Sequence, residues 1–214
     1  MKIVHVLVCV LLALPLAAGP ITLFNTGVDG AGVSLVGGDG TVDPHYNVVS
    51  GPTGVGSAVT YFNSAYLADG PNSRWISALS QAGSGTYVFE TTFTIGAGLD
   101  PSTASITGSF AADNHVTLTK INGTTVAGAT TDTYGSFTAF SIGSGLVSGL
   151  NLLDFTVVDD GSPMAFRVDG LSGSVEQLGG AGPGVPEPAS ALLLAGGLAF
   201  LTVRKLRRRS AAGK

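Results

Sequence analysis

A chain of 214 residues with 11% charged side chains, 44% hydrophobic residues, 32 glycines and 10 prolines has exchanged surface charge for Gly, Ser and Thr; globular chains usually carry roughly a quarter charged residues. The basic residues gather at the ends, with Lys2 at the start and Arg204, Lys205, Arg207, Arg208, Arg209 and Lys214 at the close, so that residues 19–184 keep only Arg74, Lys120 and Arg167 against thirteen Asp and Glu. That balance excludes a nucleic-acid surface, which needs cations against phosphate, and the missing Gly-X-Y period excludes collagen.

Residues 1–18 have the three parts of a secretory signal peptide. Lys2 is followed by an apolar run from Ile3 to Leu16 and by the small residues Ala17, Ala18 and Gly19, a stretch too short for a comfortable transmembrane helix. Removal is expected after Ala18. A buried N-terminal helix is the alternative, but no amphipathic side marks it. Cys9, the one cysteine, lies inside this run, so the processed chain has no thiol for a disulfide, a metal or nucleophilic catalysis.

Residues 19–178 read as one all-β domain. The glycine-rich opening, Gly27 to Gly40, is expected to form loops and a weak edge strand. Strand signals then recur at Ala58–Phe62, Arg74–Leu79, Thr86–Ile95, Ala104–Ala111, Val116–Ile121, Thr124–Ala127, Phe137–Ile142, Leu152–Val158, Ala165–Val168 and Leu171–Gln177. In the clearest, Tyr87, Phe89, Phe93 and Ile95 fall on one face and Val88, Glu90, Thr92 and Thr94 on the other, as in an antiparallel sheet with one wet side. Asn122-Gly123 is the strongest hairpin signal, because both residues tolerate positive φ. With no 3.6-residue apolar period, the pattern predicts an antiparallel β-sandwich, jelly-roll-like.

Catalytic patterns are missing: there is no His-Glu-x-x-His, Gly-x-Ser-x-Gly or Walker loop, and an enzyme is not expected. No pair among the acids is singled out for glycoside hydrolysis. Asp113-Asn114-His115 precedes a strand. Asp113 and Asn114 have two readings, a sugar or Ca²⁺ contact through hard oxygens, or an Asx turn that starts the strand. Asp159-Asp160-Gly161 likewise reads either as half a calcium loop or as a solvated hairpin turn before Pro163. Asp113, Asp159 and Asp160 are therefore the candidate Ca²⁺ ligands, and no other cofactor is implied. Trp75, the sole tryptophan, is a sugar platform if exposed and core if not, and Ile76 and Leu79 beside it favour core. Arg74 and Arg167 each suit a carboxylate partner or a uronic acid.

The last segment carries the most information. Gly179 to Gly184 is a flexible linker. Val185, Pro186, Glu187 and Pro188 open the stretch 185–190, the apolar run Ala191 to Val203 follows, and Arg204, Lys205, Arg207, Arg208 and Arg209 end it before a tail at 210–214. Thirteen apolar residues make a helix of about 20 Å, short of a hydrocarbon core of roughly 30 Å. The basic end stays cytoplasmic and leaves the prolines outside, which has the logic of a removable anchor.

Residues 185–209 resemble the PEP-CTERM sorting signal of Gram-negative bacteria. The resemblance implies an exosortase as processing partner, transient anchoring in the inner membrane, and export to the cell surface or an exopolysaccharide matrix. Between residues 72 and 176, the succession NSRWIS, GTYVFETTFTI, ASITGSFAADNHVTLTKING, FTAFSI and GLNLLDFTVVDDGSPMAFRVDGLSG is similar to galactose-binding-like jelly-roll domains of secreted bacterial proteins. Its final strand departs from the usual form, with Ala165-Phe166-Arg167-Val168-Asp169 in place. These likenesses imply a non-catalytic structural or adhesive protein or, alternatively, a carbohydrate-binding module using Trp75, Asp113, Asn114 and Arg167.

Overall fold

The computed structural model describes residues 18–80 and 82–178; the signal peptide up to Ala17 and everything from Gly179 onward, including the sorting motif and its helix, lie outside the described residues. Within them the chain forms eleven strands and no helix: β1 (Ala18–Ile21), β2 (Val42–Ser50), β3 (Gly56–Thr60), β4 (Ile76–Ser77), β5 (Gly85–Ile95), β6 (Leu99–Asp113), β7 (His115–Ile121), β8 (Thr124–Thr125), β9 (Thr138–Ile142), β10 (Gly149–Asp159) and β11 (Ala165–Gln177). All pairings are antiparallel, in the order β8-β7-β10-β5-β2-β3-β4-β11-β6-β9, with β1 added to β11.

This sheet curls on itself. Phe155 of β10 lies 6.1 Å from Phe110 of β6, 5.8 Å from Phe140 of β9 and 5.0 Å from Phe166 of β11, although β10 is far from all three in strand order. The result is an open half-barrel around one aromatic core. Alternation drives the curl, because Tyr87, Phe89, Phe93 and Ile95 are all buried while Thr92 and Thr94 are exposed. The β7–β8 turn is as expected, with Asn122 at φ 49° and Gly123 at φ 79°.

Two strands escape the sequence pattern. In β2, Pro44 removes a ladder donor, and pairing with β3 jumps from Val42↔Val59 to Asn47↔Ser57. Asp43, buried, repairs the break by accepting the amides of Gly27 (2.6 Å), His45 (2.8 Å) and Tyr46 (3.2 Å). Burial pushes its carboxyl up, and those N–H groups oppose the shift. β1 is only four residues long. Conversely, the stretches expected as Ala165–Val168 and Leu171–Gln177 are one strand, β11, whose register shifts between Asp169 and Ser172. Gly170, at φ 64°, absorbs that bulge. The weak edge strand expected in Gly27–Gly40 is reduced to a single bridge, Val28↔Ser34.

Candidate functional site

The acidic residues singled out by sequence meet at one corner of the half-barrel. β6 and β7 are separated by Asn114 alone, yet β6 pairs with β9 and β11 whereas β7 pairs with β8 and β10. The chain thus passes there from one half of the curled sheet to the other. The segment from Asp160 to Met164 makes the second such crossing, since β10 and β11 are not ladder partners. Asn114 laces the crossings together: its amide donates to the Val158 carbonyl (3.1 Å) and its Oδ1 accepts the Asp160 amide (2.8 Å). His115 adds a clasp, with Nδ1 3.0 Å from Asp132 Oδ1 and Nε2 3.0 Å from Asp160 Oδ2.

This geometry corrects two expectations. Asp113-Asn114 is a cross-corner tie, not a local Asx turn. Asp159-Asp160-Gly161 is a crossing between non-adjacent strands, not a hairpin turn. As for the candidate Ca²⁺ ligands Asp113, Asp159 and Asp160, no group of three His, Cys, Asp or Glu placed to hold a metal occurs among the described residues. Asp113 Oδ2 instead accepts the Tyr66 hydroxyl at 2.5 Å, and Asp160 faces His115. Asp159 is buried with its Oδ2 unpartnered, and that burial raises its carboxyl, helped by the charges of Asp113 and Asp160.

Beside the corner, the outer face of β6 and β11 is covered by the loops 61–75 and 131–137. Trp75 is 1% exposed, which agrees with the core reading over the sugar-platform alternative: the ring roots a second, smaller core with Tyr66, Ala111 and Ala165. Its Nε1 donates to the Leu67 carbonyl at 2.8 Å. Tyr66 packs 4.7 Å from Trp75 and 5.2 Å from Tyr134, an aromatic series that runs outward from core to surface. Tyr134 and Phe137 remain 39% and 36% exposed.

Arg167, 3% exposed, supports the same surface from below. Its guanidinium donates to the Ala68 carbonyl (2.7 Å) and to Ser73 Oγ (2.8 and 3.0 Å), and lies 5.1 Å from the Phe137 ring centroid. Ser73 in turn donates to Asp169 at 2.8 Å. Arg167 therefore reaches a carboxylate only through a hydroxyl, and its guanidinium makes its hydrogen bonds within the protein. Arg74 does pair directly, with Asp69 at 2.9 Å. Leu67 joins the two rings' supports: its amide donates to the Tyr134 carbonyl (3.3 Å), and its own carbonyl accepts from Trp75.

The structure also singles out an acid pair that the sequence left hidden. Glu90 and Asp154 face each other across β5 and β10, with Asn47 registered beside Glu90 and Lys120 beside Asp154. Burial and the neighbouring Asp154 charge push the Glu90 carboxyl up. Burial also raises Asp154, while Lys120 pulls it back. Like charges directly opposite repel, so a proton on Glu90 suits this pair. A shallow cleft of about 300 Å³ lies elsewhere, between Ala127–Ala129 and Ala139–Ser141, and has no ionisable side chain in its lining.

Sequence reasoning missed Tyr134 and Asp132 and read Phe137 as the start of a strand, whereas β9 begins at Thr138. The available signal was an aromatic residue, Tyr134, inside the Gly-, Ser- and Thr-rich stretch 128–138. No protein-family model matches this chain, and no curated protein matches it.

Proposed function

We propose that this is an exported cell-surface or exopolysaccharide-matrix protein with a structural or adhesive role, sorted by an exosortase. The observation that carries this reading is the tail itself: Pro186-Glu187-Pro188, an apolar run too short for a bilayer, and a basic end. The body fits a tethered module. β1 pairs with the last strand, Ala18 opposite Glu176, so the described ends leave from neighbouring positions. A jelly-roll-like sandwich is the finer description of this body, with β10, β5 and β2 facing β11, β6 and β9 across the phenylalanine core.

The test is processing in the native host. Replacing Pro186, Glu187 and Pro188 with alanine is expected to leave full-length precursor in the membrane fraction, read by intact mass; normal trimming of the variant refutes exosortase sorting.

A second reading, a carbohydrate-binding module, is favoured by one feature: surface rings at Tyr134 and Phe137 held from beneath by Tyr66 and Arg167.

A further inference from the structure

We infer that the outer edge of β9 pairs antiparallel with β9 of a second copy, joining two bodies through one continuous sheet. This goes beyond the matrix reading, which leaves the body without a partner, and it does not depend on exosortase sorting.

The backbone comes first. β9 is bonded to β6 on one side, from Phe110↔Thr138 to Ile106↔Ile142 without a break in register, and it stands last in the strand order. A strand sends its peptide groups to its two sides in alternation, so those turned away from β6 face outward. No further hydrogen bond of the β9 backbone, to backbone or side chain, occurs among the described residues. Edges of this kind are ordinarily guarded by shortness, proline, a bulge or charge. The edge strand β8 is two residues long, and β1 has four residues with Pro20 among them. β9 runs for five residues with no proline, no charge and no bulge.

Charge then selects the partner. Between Lys120 and Asp154 the only charged residue is Asp132, whereas residues 19–184 carry thirteen acids against three cations. Two copies of so acidic a body repel over most of their surfaces. They approach at least cost where neither brings a charge. The shallow cleft beside β9, and a second of about 210 Å³ that continues it to Gly143 and Ser144, have no ionisable side chain in their linings. A basic partner gains nothing at this edge and is drawn to the acids elsewhere.

The strand is also complementary to itself. A two-fold axis through Phe140 sets Ala139 opposite the partner's Ser141, and Ser141 opposite the partner's Ala139. Both side chains are exposed and small, so the facing pairs on the outer side meet without a clash. Phe140 and Ile142 are already buried behind the edge and keep their places. Such an interface uses one patch twice and closes as a dimer.

The test uses the full-length chain in density-matched detergent, with Cys9→Ser in every sample so that no native thiol interferes. Sedimentation equilibrium is expected to show a monomer–dimer equilibrium. Ala139→Lys/Ser141→Lys sets lysine opposite lysine in both facing pairs and is expected to weaken the dimer about tenfold. Both positions are exposed, and unchanged near-ultraviolet circular dichroism is expected to confirm the fold. Cysteines read the register. Facing Cβ atoms lie about 5 Å apart and diagonal ones about 7 Å, and a disulfide needs the shorter separation. Oxidising an equal mixture of Ala139→Cys and Ser141→Cys chains is therefore expected to link one of each, while neither chain links alone. A chain that stays monomeric up to about 100 µM overturns the proposal, whether or not a foreign extended peptide binds the edge. A dimer unaffected by the paired lysines lies on another surface and overturns it too. Linking within either cysteine chain alone overturns the two-fold register, and larger polymers overturn the closed pair.

Discussion

His115 Nε2 lies 3.0 Å from Asp160 Oδ2, across the corner where the chain passes twice between the halves of the curled sheet. Its other nitrogen faces Asp132 at the same distance. A carboxylate can only accept, so both contacts are hydrogen bonds only when both ring nitrogens carry protons. The two carboxylates, bonded to the ring, raise the His115 pKa above its ordinary value of 6.5.

A pH dependence with a definite sign is expected from this clasp. The folded imidazole holds its proton more tightly than the unfolded one, so the stabilisation is complete below about pH 6.5 and is lost as pH rises through the folded value. Melting temperature measured from pH 5.5 to 8.5 is expected to fall over the upper part of that range in the wild type. In His115→Gln this component is expected to vanish. An identical slope in both proteins would show that the clasp contributes nothing.

Glu90→Gln is expected to stabilise the protein at pH 7. The change removes a like charge facing Asp154 and keeps the shape. Cross-strand pairs are worth roughly 0.2–1 kcal/mol, which corresponds to a gain of roughly 1–3 °C. The raised carboxyl binds a proton more tightly in the folded state, so wild-type stability falls as pH rises through its titration. The advantage of the variant therefore disappears below about pH 4, where Glu90 is already protonated. Calorimetry at pH 3.5 and 7 separates the two cases.

Arg167→Met is expected to destabilise by about 3 kcal/mol. The methionine fills much of the volume but strands the Ala68 carbonyl, Ser73 and Asp169, which Arg167 and Ser73 join in one network. Urea unfolding is expected to show a lower midpoint with an unchanged slope. A midpoint within error of the wild type would mean that water replaces the guanidinium at no cost.

Trp75, the sole tryptophan and fully buried, reports on the small outer core. Its fluorescence is expected to be blue-shifted and poorly quenched by acrylamide. Trp75→Phe, which loses the bond to Leu67 and some volume, is expected to cost about 1–3 kcal/mol. A red-shifted, fully quenched emission would place the ring at the surface instead.

The chemistry of the site was harder to read in the sequence than the strands that build it. Asp113, Asn114, Asp159 and Asp160 were visible as polar punctuation between strands, but their local contexts suggested turns and calcium. Their actual partners are Tyr66, 47 residues from Asp113, and His115, 45 residues from Asp160. Tyr134 was hidden for a different reason: an aromatic residue in a loop carries no periodicity to say which way it points.

What the sequence alone determined is local. The inward face of β5, from Tyr87 to Ile95, follows from a side-chain period of two, and the Asn122-Gly123 turn follows from which residues accept positive φ. Both depend only on neighbours along the chain. The tertiary structure decided which strands became partners: that Glu90 faces Asp154, that β6 and β7 part company at Asn114, and that Trp75 is covered. Those outcomes depend on the register of strands far apart in sequence and on the curl that lets Phe155 reach Phe110 and Phe166. Burial of the whole phenylalanine core selects that arrangement, because no single strand can bury its apolar face alone.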